Sequence, residues 1–138
     1  MRPVARFFWN IPTSGPSRYL FPILWMLVIF ILSSIPGDRY PRVDIPNADK
    51  GMHALLYLPV GWLFARATAG EWWRQRWIGL VIAVVAGCVF GATDEIHQIW
   101  TPHRECSMAD WVVDCAAVGV GALLWWASEV TILRAKSA

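Results

Sequence analysis

Apolar residues in this chain come in four blocks rather than in alternation: Tyr19 to Ile35, Met52 to Thr68, Trp77 to Thr93 and Trp111 to Ala127. No block alternates with period two, so the pattern predicts helices and not strands. Each block lies near the short end of the roughly 17–25 residues that a membrane-spanning helix needs, and polar turns at its ends can extend it. Between the blocks stand segments rich in helix breakers. "PGDRYPRVDIPNADKG" carries Pro36, Pro41 and Pro46, "AGEWWRQR" is a short turn, and "TPHRECSMAD" breaks the helix at Pro102. Ser107 is a predicted N-cap for the last helix, with Asp110 three residues on as the acidic arm of a capping box. The expected architecture is an all-α membrane protein, a four-transmembrane-helix bundle forming a single domain over residues 1–138.

Placing residues at about 100° per position sharpens this picture. On the third block, Gly79, Ala83, Gly87 and Gly91 form a seam of small residues that continues to Glu95, with Asp94 and Gln98 on the same side. On the second, Asp49, His53, Tyr57 and Gly61 share a stripe; on the fourth, Ser107, Asp110, Asp114, Ala117 and Gly121 share another. Small residues let helices approach closely in lipid. Three helices thus carry small residues low on a face and polar ones high on the same face, which predicts that the polar residues converge at one end of the bundle.

Composition supports the membrane class. Of 138 residues, 57% are hydrophobic and ten are Trp, more apolar surface than a soluble domain of this length hides. The first block is longer than a signal-peptide core and is preceded by eighteen residues; Ser33 and Ser34 before Pro36 are weak cleavage bait, so the block reads as a retained span. The net charge of +2, with no basic tract, excludes a nucleic-acid partner by pattern. Its distribution is more informative. Arg2, Arg6, Arg18, Arg66, Arg74, Arg76, Arg134 and Lys136 fall on one side of the four blocks, and Arg39, Arg42, Lys50 and Arg104 on the other. The positive-inside rule then places both termini in the cytoplasm. Trp72, Trp73, Trp77, Trp125 and Trp126 would form the inner aromatic belt, and Trp100 and Trp111 the outer one. Cys88, Cys106 and Cys115 form no disulfide framework; one Cys106–Cys115 bridge is conceivable on an oxidising face.

The segment "GATDEIHQIWTPHRECSMADWVVD" interrupts the apolar pattern with chemistry. Asp49, Asp94, Glu95, Asp110 and Asp114 bring five negative charges against the two positive ones of Lys50 and Arg104. Such a group at the end of a bundle requires compensation by shared protons, a bound cation or water. Ionisable residues at membrane depth are functional candidates. Four readings fit: ion pairs that pin the helices and cap their ends; an enzyme in which His53 or a carboxylate moves a proton while Lys50 and Arg104 hold an anionic headgroup; a divalent metal held by His53 and two or more carboxylates; or a cation or proton carrier. No HExxH or paired-Cys spacing marks a metal. Charges confined to one end of four short spans leave no path across the bilayer. His97 and His103 read as ordinary interfacial residues, Tyr57 as core, and Pro59 as a kink.

"DKGMHALLYLPVG" followed by "GATDEIHQIWTPHRECSMADWVVDCAAVGVG" resembles the VanZ-like family, small bacterial membrane proteins whose namesake is associated with teicoplanin resistance. The matching positions are Asp49, Lys50, His53 and Tyr57; Gly91, Glu95, Ile96 and Gln98; and Arg104, Ser107 and Asp110 followed by Asp114. The "SSIP" closing the first block is also similar. Asp114 stands where the family commonly has Asn, and Ala117 where Gly is common. The resemblance implies a multi-pass protein of the bacterial inner membrane connected with the cell envelope, and names no reaction. The expected site then has Asp49 orienting His53, and His53 or Glu95 transferring a proton. Lys50 and Arg104 would hold an anion, Gln98 and Asp110 would fix the geometry, and Asp114 would contact the substrate. The expected partners are membrane lipids, a lipid-linked envelope precursor and a second copy of the chain. The alternative is a non-catalytic protein whose charges lock the helix tops.

Overall fold

The computed structural model describes residues 15–40, 46–69 and 76–137, of which 76 and 132–137 by backbone alone. Arg2, Arg6, Pro41, Arg42, Trp72, Trp73 and Arg74 lie outside the described residues, so the charge asymmetry and much of the inner aromatic belt are not tested by the fold. Four α-helices account for the architecture: α1 (Leu20–Ser33), α2 (Ala48–Ala69), α3 (Arg76–Gln98) and α4 (Met108–Ser137). Two short 3-10 turns, Pro16–Tyr19 and Gly37–Arg39, precede and follow α1. There is no strand among the described residues.

Three segments, Pro16–Ser33, Trp77–Gln98 and Met108–Thr131, are long and apolar enough to cross a membrane. The helix α2 has the length at 22 residues, but His53, Tyr57, Pro59 and Arg66 dilute its apolar character, and it is not among the three. The outer faces carry exposed apolar stripes at helical spacing: Ile23, Leu27 and Ile31 on α1, and Val81, Val85 and Val89 on α3. In water such stripes would be a large unfavourable exposure; in lipid they face their own kind.

The interior is built from the small-residue seams. Gly79, Ala83, Gly87 and Gly91 are all buried along α3. The closest approach is between α2 and α4. A Cβ on Gly61 would collide with the backbone carbonyl of Val118, and one on Gly121 with that of Leu58. Only glycine allows the two backbones to meet there. Above and below this crossing lie two small cores, one around Ile29, Tyr57, Val60 and Val118 and one around Ala65, Ala83, Ala122 and Trp125. Trp125, expected on the inner belt, is 6% exposed and belongs to the second core; Trp77, Trp100 and Trp126 do face outward.

Indole and hydroxyl hydrogen bonds add directional ties between helices. Trp25 Nε1 donates to the Leu56 carbonyl at 2.8 Å, joining α1 to α2, and Thr68 Oγ1 donates to the Gly79 carbonyl at 2.9 Å, joining α2 to α3. At the polar end the two loops are tied together. The Gly37 N–H donates to the Pro102 carbonyl at 2.9 Å, with His103 in the left-handed region at φ 58. A side chain at position 37 would collide with the His103 carbonyl. The three cysteines are free; Cys106 is exposed in the loop, while the Cys115 thiol on α4 meets that of Cys88 on α3.

Candidate functional site

The C-terminal ends of α1 and α3 and the N-terminal ends of α2 and α4 meet at one end of the bundle, and the polar stripes converge there as their spacing predicts. The charged residues sort into three groups with different partners.

The outermost group is Lys50, Asp49 and Asp110. Lys50 Nζ lies 3.0 Å from Asp110 Oδ1 and 3.1 Å from Asp49 Oδ2. Asp49 is exposed, and its hydrogen bonds with Lys50 hold its carboxyl below the usual carboxylate range. The Lys50 ammonium is raised above the usual lysine range, chiefly by its hydrogen bond to Asp110 and then by Asp49. Both acids stand in the first turn of a helix, where a negative charge is favoured by the backbone dipole.

The second group is centred on Asp94, which is 2% exposed. Its two oxygens accept hydrogen bonds from Ser33 Oγ at 2.6 Å, Tyr57 Oη at 3.2 Å and Gln98 Nε2 at 3.4 Å. Donors from α1, α2 and α3 thus close on one carboxylate. Ser33 can serve because it sits in the last turn of α1; its one hydroxyl proton goes to Asp94 at 2.6 Å, with the Phe30 carbonyl, which also accepts the Ser34 N–H, a longer second acceptor at 3.1 Å.

The third group is His53, Glu95 and Asp114, one residue from each of α2, α3 and α4. His53 Nδ1 is 3.0 Å from Asp114 Oδ1 and 3.8 Å from Glu95 Oε1. Glu95 and Asp114 are 3% and 0% exposed. The Ser107 N–H donates to Glu95 Oε2 at 2.7 Å, which fixes that side chain by one oxygen. The other oxygen, Oε1, and Oδ2 of Asp114 have no hydrogen-bond partner among the described residues. One donor atom from each of the three residues lies within 4.8 Å of the others, a grouping that could hold a metal ion.

Beside these groups runs a cleft of about 360 Å³, lined by the apolar Leu32, Met52 and Leu56 and by the polar His53, Asp94 and Arg104 among others. That volume falls among small-molecule sites, roughly 300–1,000 Å³. The Arg104 guanidinium stacks over the Tyr40 ring at 5.2 Å. Among the described residues it makes no hydrogen bond or ion pair, and its Nε is buried without a partner. Tyr40 is itself held by a 2.6 Å hydrogen bond to the Leu32 carbonyl. The loop tie through Gly37 therefore places a cation over the cleft.

All eight predicted site residues lie at this end, with partners that differ from the expected ones. Asp114, not Asp49, is the carboxylate on His53, because the Asp49 side chain is turned outward to Lys50. Lys50, expected to hold an anion, is engaged by two aspartates. Gln98 bonds Asp94 and stands apart from the His53 group. Ser107 does cap α4, its Oγ accepting the Asp110 N–H at 3.2 Å, but the return arm of the capping box comes from Glu95 on α3 while the Asp110 side chain goes to Lys50. Sequence reasoning missed Ser33 and Tyr40 as site residues. The signal for Ser33 was its place at the end of an apolar span; nothing local marks Tyr40. His97 lies outside the cleft, stacked on Phe30 and hydrogen-bonded to Ser34.

The VanZ/LLP1 family model matches residues 19–133, from the start of α1 almost to the end of α4. The chain belongs to the VanZ/LLP1 family. With three helices apolar enough to cross a membrane, it is a helical membrane protein of VanZ-like type. No curated protein and no solved structure matches it.

Proposed function

We propose that this VanZ-like protein binds the anionic headgroup of a membrane-surface substrate in the cleft beneath Arg104. The observation that carries the reading is the guanidinium itself: a permanent cation, stacked on Tyr40 and without an ion pair among the described residues, in a cleft that Asp49 and Asp94 also line. An arginine fork matches the oxygens of phosphate or carboxylate. The cleft is amphipathic, so an apolar tail can follow Leu32, Met52 and Leu56 while the head reaches Arg104. A lipid-linked precursor of the envelope has this chemistry, and the family's association with the envelope agrees with it. All four helices span the bacterial inner membrane in this reading, with both termini cytoplasmic and the cleft at the outer surface.

The test is native mass spectrometry of the detergent-purified full-length chain, offered phosphatidylglycerol or phosphatidylcholine. Wild type is expected to retain the anionic lipid selectively. Arg104→Ala should lose at least about tenfold in retention, one charge-assisted hydrogen bond's worth, and Arg104→Lys should fall between. Lys50→Ala should bind nearly as wild type. Equal retention of both lipids by wild type, or unchanged retention by Arg104→Ala, would sink the reading.

A purely structural reading applies to part of this end. Asp94 with its three donors, and Lys50 with its two acids, are spent on joining helices. His53 with Asp114, and Glu95 with the Ser107 N–H, also tie helices together but leave Glu95 Oε1 and Asp114 Oδ2 without a hydrogen-bond partner among the described residues, as the Arg104 Nε is left.

A further inference from the structure

We infer that His53, Glu95 and Asp114 form a binding site for one divalent transition-metal ion. The argument begins from charge. Two carboxylates, 3% and 0% exposed, face one imidazole nitrogen from the same side. No lysine or arginine reaches either acid among the described residues, because Lys50 is bound to Asp49 and Asp110, and Arg104 pairs with neither. If His53 were an imidazolium, the group would still carry a net charge of minus one in a nearly dry place. A divalent ion with a neutral imidazole and two carboxylates sums to zero. Burying a neutral set costs far less than burying an uncompensated charge.

Hydrogen bonding points the same way. Glu95 Oε1 and Asp114 Oδ2 are buried acceptors with no donor among the described residues. The neighbouring Asp94 shows how this protein satisfies a buried carboxylate when only hydrogen bonds are intended, with three donors on two oxygens. Glu95 is held by the Ser107 N–H on one oxygen, which orients the other toward His53. The 3.0 and 3.8 Å separations of His53 Nδ1 from the acid oxygens bracket the roughly 3.3–3.6 Å that separates tetrahedral ligands about 2.0–2.2 Å from a common ion.

The ligand types select the metal. One imidazole and two carboxylates suit Zn²⁺ or Mn²⁺, whereas Ca²⁺ and Mg²⁺ favour all-oxygen sites. Three protein ligands leave coordination positions open, as in metal sites that act on a substrate. Of the three ligands His53 lines the cleft and Glu95 and Asp114 do not, so the imidazole is the group shared between the ion site and the cleft. Only the further step, that the open position meets an oxygen of the anion held by Arg104, rests on the proposed function.

The experiment uses the full-length chain in detergent, affinity tag removed and metal stripped by chelator, titrated calorimetrically with Zn²⁺ and separately with Mn²⁺. Wild type is expected to bind one equivalent of at least one of them. Glu95→Gln and Asp114→Asn should each weaken binding by more than the roughly 10–100-fold that loss of a mere supporting contact costs. Asp49→Asn and Arg104→Ala should bind as wild type, and Arg104→Ala should at the same time lose the anionic lipid, so the two readings fail separately. Where a ligand variant does not fold, X-ray absorption on zinc-loaded wild type decides, with one imidazole and oxygen ligands expected. No stoichiometric binding by folded wild type, equal binding by both ligand variants, or a first shell without imidazole would overturn the proposal.

Discussion

Asp94 and Glu95 are adjacent in sequence, equally buried, and treated in opposite ways. Asp94 is enclosed by Ser33, Tyr57 and Gln98, and its charge is spread over three hydrogen bonds. Glu95 receives one backbone N–H and shares His53 with Asp114, leaving an oxygen free on each acid. One carboxylate is a rivet between helices. The other belongs to a group that the protein holds in place without satisfying. A half-satisfied buried network destabilises the fold that carries it, and it is this group, not Asp94, on which the proposed metal site rests.

Substitutions can break that contrast or sharpen it. The largest effect is expected where both groups depend on one contact. Gly121→Leu forces α4 away from the Leu58 carbonyl on α2 and should cost about 3 kcal/mol by overpacking, loosening both groups together. Reversible unfolding in mixed micelles would measure it. Next, Asp94→Ala should cost about 2–3 kcal/mol in the same assay, since interhelical hydrogen bonds in membranes are worth about 0.6–1.7 kcal/mol each and three donors are orphaned. Tyr57→Phe and Ser33→Ala each remove one of those donors and should cost about 1 kcal/mol. Glu95→Gln and Asp114→Asn keep the acceptor oxygens and relieve charge, so each should change stability by less than about 1 kcal/mol while abolishing metal binding. A loss as large as that of Asp94→Ala would erase the distinction between rivet and site.

The smallest effect concerns Lys50 and Asp49 at the exposed rim. Asp49 titrates below its unfolded value of about 3.9, so its contribution is present above that value and disappears as pH falls through the folded one. Lys50 titrates above its unfolded value of about 10.4, so its contribution is complete below that value and disappears as pH rises through the folded one. The stability difference between wild type and Lys50→Met should therefore be flat from about pH 5 to 9.5 and shrink at both extremes, and it should also shrink with added salt. Unfolding midpoints across pH would show it.

Much of this was legible in the chain. Four apolar blocks became four helices, the last three extended by their polar turns and the first ending short at Ser33. The every-fourth-residue seam from Gly79 to Gly91 predicted a buried face on α3, and the stripes through His53, Glu95 and Asp114 predicted which ends would meet. Helix periodicity is a local property, so the sequence by itself determined which residues share a face and at which end of the bundle they stand. It could not assign partners. Ser33 reaches Asp94 across 61 residues and Tyr57 reaches it across 37, while Asp49, only four residues from His53, turns to solvent. Whether a buried acid finds three donors or one depends on donors that other helices bring, and on the close backbone contact of α2 with α4 that Gly61 and Gly121 permit. Only the tertiary structure decided that Asp94 would be satisfied, that Glu95 and Asp114 would each keep an oxygen without a donor among the described residues, and that Arg104 would line the cleft with no ion pair among them.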